Sequence, residues 1–303
     1  MSPQVTVLLP DEPGAAKAAA IPGLRALLYA GEQLPPGAEE SEVLVAPDGD
    51  VSSAIRIAAR LPRLRMVQTM TAGFEQWLPH LPERVLLCNA RGAHGGATAE
   101  WAAASLLSLV RGLPTYGRQQ AGHVWAPTED GTLLGAEVLV LGAGDLGTSL
   151  RSRLAPFGAN VTLVGRTARD GVRSLDEVAE LLPQQDAVVV MLPLDAGTRG
   201  LVDGSFLARM RDHSILVNAA RGAIVDQAAL LVELRSGRLR AALDVTDPEP
   251  LPADDPLWDA PGLLLTPHVG GFVPGRAARI WAVVEEQLRQ YVAGQRPANA
   301  VER

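Results

Sequence analysis

Apolar residues fall in short unbroken runs, separated by stretches in which they recur every three or four positions. From Val5 the runs are VTVLL, ALLY, EVLVA, RMVQTM and VLLCNA, with helical stretches between them, one near Val51 to Arg60. Unbroken runs suit strands buried on both faces, and their alternation with helices predicts a small parallel α/β domain ending near Asn89. A second series follows: VLVL, NVTLV, AVVVML, SILVN, RAALDV and LLLTP, with helices between the first five. It predicts a second, doubly wound sheet running to about Gly271. Between the two lies RGAHGG, Arg91 to Gly96, a glycine-rich hinge leading into a helix from Thr98 to about Tyr116. That helix carries Trp101, Leu106, Leu109 and Val110 among small residues, so it needs a covering surface, either the other domain or another subunit. Gly122 to Gly131, with Trp125 and Pro127, reads as an arm. The last helix, Arg276 to Tyr291, has Ile280, Val283, Val284 and Leu288 on one face and is expected to return to the first domain.

The strand VLVL runs directly into Gly-Ala-Gly-Asp-Leu-Gly, with a helix expected from Thr148 to Leu154. Gly142 permits the tight turn, Gly144 lets backbone approach a pyrophosphate, and Gly147 lets the helix pack on its strand. The phosphates of a dinucleotide would then meet free N–H groups at a helix N-terminus. Such glycine turns also occur without a ligand; the strand before and the helix after give this one its weight. In NAD sites the next strand usually ends in an acid that accepts from the ribose hydroxyls. Here it ends Val164-Gly165-Arg166-Thr167, and Asp170 comes too late. Arg166 offers a planar fork for a 2′-phosphate with Thr167 beside it, so NADP is the expected cofactor and NAD the alternative. The plainer reading makes Arg166 one more surface arginine.

Composition narrows the chemistry. Lys17 is the sole lysine among 27 basic residues. Walker-type, Schiff-base and Tyr-x-x-x-Lys mechanisms are thereby excluded. Cys88 is the single cysteine, so no internal disulfide forms. A net charge of −7 argues against a nucleic-acid partner. No apolar run is long enough for a membrane span, and no basic segment precedes Val5; no membrane, no signal peptide and a cytoplasmic location are expected. No metal-ligating set stands out.

Polar residues at strand ends carry the candidate chemistry, because open α/β sheets bind ligands at carboxyl edges. In the first domain Thr71-Ala72-Gly73-Phe74 follows RMVQTM, and its bare N–H groups could hold a carboxylate, though an ordinary turn glycine explains it as well. His94, in the hinge, reads as a solvated loop residue, with a ligand role as the alternative. In the second domain Arg221 follows SILVN, Glu249 lies in LDVTDPEPLP and His268 in LTPHVGG. Singly, these suit a surface ion pair, a solvated loop acid and a packing residue.

Together with the fingerprint and the Leu192-Pro193 turn, these three motifs resemble the D-isomer-specific 2-hydroxyacid dehydrogenase family. The likeness covers nearly the whole chain and looks most like its glyoxylate/hydroxypyruvate reductase branch. It implies two Rossmann-like doubly wound parallel-sheet domains: a flavodoxin-like substrate-binding domain, 1–95 and 274–303, and a dinucleotide-binding domain, 96–273. It implies an NADP(H)-preferring oxidoreductase interconverting small 2-oxo acids and D-2-hydroxy acids. Arg221 would bind the carbonyl and carboxylate, His268 would be general acid or base, and Glu249 would hold its tautomer. Ala72 and Gly73 would grip the substrate carboxylate. Gly142, Gly144, Asp145, Leu146, Gly147, Arg166, Thr167, Pro193, Ala219, Asp244 and Gly270 would line the cofactor site, and a homodimer is expected.

The chain departs from the family at Thr246, where an aromatic is usual, in a shorter GRLRAALDV, and in GFEQ after Ala72. Phe74, Trp77 and the Met70 neighbourhood are expected to make that side of the cleft apolar and to favour a bulkier acid. A dehydrogenase of the same fold with another donor, and a dinucleotide-sensing corepressor or scaffold, remain alternatives.

Overall fold

The computed structural model describes residues 4–302. The chain forms two compact units, Met1–His94 with Pro274–Arg303, and Gly95–Val273.

In the first unit five parallel strands, β1 (Val5–Leu9), β2 (Leu24–Leu28), β3 (Val43–Val45), β4 (Met66–Gln68) and β5 (Leu86–Cys88), stand in the order β2-β1-β3-β4-β5. This is the flavodoxin-like order. Successive side chains of a strand point to opposite faces, and here both faces are buried. Val7, Leu9, Val43 and Val45 pack with Ile280, Trp281, Val284 and Leu288 of the closing helix Arg276–Val292. Leu8, Leu44, Val67 and Leu87 face Ile57 and Trp77 instead. The unbroken apolar runs of the sequence follow from this double burial. Gly14 makes room for Trp281, since a Cβ there would lie 2.1 Å from the indole ring.

The second sheet holds seven parallel strands: β6 (Glu137–Leu141), β7 (Asn160–Gly165), β8 (Val172–Ser174), β9 (Ala187–Val190), β10 (Ile215–Asn218), β11 (Arg240–Leu243) and β12 (Leu263–Leu265). Their order is β12-β11-β10-β9-β6-β7-β8. Chain direction across the sheet reverses at β6, which pairs with β7 on one side and β9 on the other. A ligand crevice opens at the carboxyl end of such a switch point.

Local readings of the sequence need four corrections. The helix expected over Thr98 to Tyr116 is two, Gly95–Val110 and Leu113–Ala121. Gly112 between them is left-handed at φ 60° and Pro114 lacks an N–H donor, so the first helix cannot continue. The helix after the fingerprint begins at Asp145, not Thr148, with Gly144 at its N-cap. The short strand β8 escapes the sequence reading because its three residues give no periodicity. Finally, Trp77 is 1% exposed and Met70 5%, so both belong to the core and cannot line a cleft.

Candidate active site

The carboxyl ends of β10, β11 and β12 assemble the polar residues of the second unit. Asn218 ends β10 fully buried; its amide donates to the Arg221 carbonyl (2.9 Å) and its oxygen accepts from the Ala220 N–H (3.1 Å). The Ala219–Arg221 turn is thus pinned before Arg221 leaves it. Gly222 then passes so close to the next strand's exit that a Cβ would lie 2.0 Å from the Thr246 carbonyl. Only glycine lets the Arg221 turn touch the loop that carries Glu249.

Asp244, 3% exposed, is the hub of the site. One carboxylate oxygen accepts from the Thr266 hydroxyl (2.7 Å) and the Val269 N–H (2.8 Å), and the other from the Gly270 N–H (2.8 Å). Its own carbonyl accepts from the His268 N–H at 2.7 Å. These bonds hold His268 in a left-handed conformation, φ 54°, which costs a non-glycine residue energy and persists only where its surroundings impose it. In that pose His268 Nδ1 lies 2.9 Å from Glu249 Oε2, while Glu249 Oε1 accepts from the Thr246 N–H at 3.1 Å.

The electrostatics follow from this pairing. The bond with Glu249 raises the His268 pKa above its ordinary value, against opposition from burial and from the Arg221 charge. Burial pushes the Glu249 carboxyl up, but the His268 bond and charge, the Thr246 N–H and Arg221 together hold it below the usual range. Arg221 therefore stands near enough to act on both partners. A cavity of about 500 Å³ opens here, lined by Asp244, Glu249 and His268 together with Leu251, Trp258 and Leu265. It is of small-molecule size.

At the switch point the fingerprint turn has the expected shape. Gly142 is at φ 127°, where a Cβ would strike the Met191 carbonyl; Gly144 faces open space; a Cβ on Gly147 would collide with the Gly142 carbonyl. The Asp145 side chain turns toward Gly95, while Leu146 is half-buried. At the tip of β7 Arg166 pairs with Asp195 at 2.8 Å and Thr167 is exposed beside it. Arg169, which the sequence reading passed over, donates to the Ala143 carbonyl of the fingerprint at 3.0 Å. The signal was its position three residues past Arg166. Pro193 is exposed after β9 and Ala219 is buried after β10. Gly270 spends its N–H on Asp244. Glycines shaped to admit a pyrophosphate, and two guanidinium groups beside β7, fit a phosphorylated dinucleotide.

The structure thus brings Arg221, Asp244, Glu249 and His268 together. Ala72 and Gly73 belong to the first unit, in the turn after β4. His94 is not a solvated loop residue: it is half-buried, its Nδ1 is enclosed without a hydrogen-bond partner, and burial followed by the Arg276 charge lowers its pKa. Among the described residues no helix is long and apolar enough to cross a membrane.

Comparison with known proteins bears on this arrangement. Residues 103–270 match the family model described as D-isomer specific 2-hydroxyacid dehydrogenase, NAD binding domain. D-3-phosphoglycerate dehydrogenase of Mycobacterium leprae is 33% identical over 284 residues, covering 88% of this chain and 53% of that protein. The chain therefore spans about half the length of that relative. A D-isomer specific 2-hydroxyacid dehydrogenase from Xanthobacter autotrophicus, solved with NADPH and MES, is 31% identical with TM-score 0.85 over 99% of this chain and 98% of that one. The NADPH-dependent glyoxylate/hydroxypyruvate reductase of Sinorhizobium meliloti, solved with NADP and sulfate, is 27% identical with TM-score 0.81 over 100% and 98%. A matched NAD-binding domain over more than half the chain, on a fold shared end to end, makes this protein a member of the D-isomer specific 2-hydroxyacid dehydrogenases, a family of NAD(P)-dependent oxidoreductases.

Proposed function

We propose that this chain is an NADPH-preferring reductase of small 2-oxo acids that forms D-2-hydroxy acids, of the glyoxylate/hydroxypyruvate reductase kind. The observation that carries the reading is the His268–Glu249 pair at 2.9 Å, within reach of the Arg221 charge. The dinucleotide, when bound, supplies or accepts the hydride. His268 gives its Nε2 proton to the carbonyl oxygen in reduction and takes it back in oxidation. Glu249 keeps the Nδ1 proton in place and steadies the imidazolium. Arg221 grips the carboxylate with its planar fork and stabilises charge developing on the carbonyl oxygen. On the first unit the Ala72 and Gly73 N–H groups would hold a substrate carboxylate.

On the cofactor side, Gly142, Gly144, Asp145, Leu146 and Gly147 would cradle the pyrophosphate, while Pro193, Ala219 and Gly270 line the nicotinamide half. Asp244 would face the carboxamide. Arg166, Thr167 and Arg169 would read the 2′-phosphate, which supports NADP over NAD; the Arg166–Asp195 pair must open or share its guanidinium to do so.

The test is loss of NADPH absorbance with glyoxylate, hydroxypyruvate, pyruvate, phenylpyruvate and 3-phosphohydroxypyruvate, repeated with NADH. Saturable turnover of an unphosphorylated acid with NADPH preferred supports the reading. Preference for the phosphorylated acid would favour the activity named for the Mycobacterium leprae relative. Tight NADPH binding without turnover of any acid would make the chain a dinucleotide sensor. A homodimer through the Gly95–Val110 helix and the segment around Trp125, which is 98% exposed, completes the proposal. Sedimentation as a monomer at micromolar concentration would count against it.

A further inference from the structure

The turn after β4 is held by a set of hydrogen bonds, one of them from a side chain that no motif singled out. Each of its carbonyls has a donor. The Thr71 carbonyl accepts from the Ala90 N–H (2.9 Å) and the Thr69 hydroxyl (2.8 Å), the Ala72 carbonyl from the Asn89 amide (2.9 Å), and the Gly73 carbonyl from the Thr71 hydroxyl (2.8 Å). In a trans peptide the N–H points opposite to the carbonyl of the same plane. Fixing the Thr71 and Ala72 carbonyls therefore fixes the Ala72 and Gly73 N–H groups on the other side, where neither meets an acceptor among the described residues. The third N–H, that of Phe74, already donates to the Glu75 carboxylate at 2.9 Å. Two adjacent amides are left aimed in one direction, the arrangement a carboxylate requires.

Asn89 is 8% exposed and is itself locked. Its Oδ1 accepts from the Arg91 N–H at 3.2 Å. Its backbone N–H donates to the Asn299 carbonyl (3.2 Å), and its carbonyl accepts from the Asn299 amide (3.1 Å), which also reaches the Arg91 carbonyl (2.9 Å). Asn299 in turn donates its N–H to Gln287 of the closing helix at 2.8 Å. The segment before the hinge, the tail near residue 299 and the turn after β4 are thus one buried polar network, and in such networks orientation is costly to change.

We propose that Asn89 is a positioning residue for substrate: by holding the Ala72 carbonyl it turns the Ala72 and Gly73 amides toward the 2-oxo acid carboxylate. This rests on the carboxylate role assigned above to those two amides.

The test is Asn89→Asp, which keeps size and the acceptor for Arg91 but sets an oxygen against the Ala72 carbonyl where a donor stood. Binding of oxamate, an unreactive 2-oxo acid analogue, is measured on NADPH-loaded protein, with steady-state kinetics beside it. The Kd of oxamate and the KM of the oxo acid rise on the order of tenfold, the loss of one hydrogen bond to a charged group. The kcat and the Kd of NADPH stay within about twofold, because the nucleotide residues are on other strands. Asn299→Ser, which loosens the network but spares the Asn89–Ala72 bond, lowers Tm and leaves the oxamate Kd alone. If both variants only lower Tm, Asn89 is merely structural and the proposal is overturned. If Asn89→Asp does not fold, Asn89→Ser carries the same expectation and the same refutation. A wild-type protein that binds no oxamate and reduces no oxo acid overturns the functional reading and this inference with it; wild-type binding that Asn89→Asp leaves unchanged overturns this inference alone.

Discussion

Replacing Glu249 with glutamine separates charge from geometry at the centre of the site. The amide oxygen of the introduced side chain would still accept from His268 Nδ1, so the ring stays oriented while the negative charge disappears. At 2.9 Å, two unit charges in bulk water attract by about 1.4 kcal/mol. The side chains of His268 and Glu249 are 52% and 39% exposed, so solvent reaches the pair and the net worth is about 1 kcal/mol, the upper end for such pairs. That is about fivefold in the fraction of protonated imidazole. With His268 as the proposed proton donor, reduction needs its ring protonated, so activity is present below its pKa and lost as pH rises through it. Since Glu249 is what raises that pKa, the Glu249→Gln variant loses activity at lower pH than wild type. The profile of kcat/KM for oxo acid reduction therefore coincides with wild type on the acid side and runs about fivefold lower on the alkaline side. Oxidation needs the neutral ring, so its rising limb moves to lower pH as well. Superimposable profiles, or a shift to higher pH, would refute the charge argument; a uniform drop at every pH would mean that Glu249 acts through ring orientation instead.

Three further outcomes are expected. His268→Ala or Arg221→Ala lowers kcat/KM for reduction by a factor on the order of 10² or more while NADPH still binds, as measured by protein fluorescence beside steady-state rates. Arg169→Ala raises the KM for NADPH by about tenfold and leaves that for NADH nearly unchanged, because one charge-assisted contact to a 2′-phosphate is removed; equal effects on both cofactors would exclude that contact. Gly222→Ala forces a Cβ into the Thr246 carbonyl and costs about 1–3 kcal/mol, read as a Tm lower by several degrees together with reduced kcat, since the Arg221 turn must shift.

Much of the architecture was legible from periodicity and glycine placement alone. An unbroken run such as VLVL is buried on both faces whatever its neighbours are, and the fingerprint turn needs glycine at φ 127° because no Cβ fits against Met191. Arg221, Glu249 and His268 were readable because each follows a strand end, and a parallel sheet presents all such ends on one edge. Tertiary structure decided what those residues can do. Asp244 became the hub because the loop after β12 folds onto its carboxylate, and His268 faces Glu249 through the left-handed backbone those bonds hold. Trp77, expected from its apolar character at a cleft wall, lies in the core, since hydrophobicity says that a side chain is buried but not against what. Asn89 carried no signal of its own, and Arg169 only its place three residues past Arg166, for a hydrogen-bond donor takes its meaning from an acceptor elsewhere in the chain, and the fold alone supplies that partner.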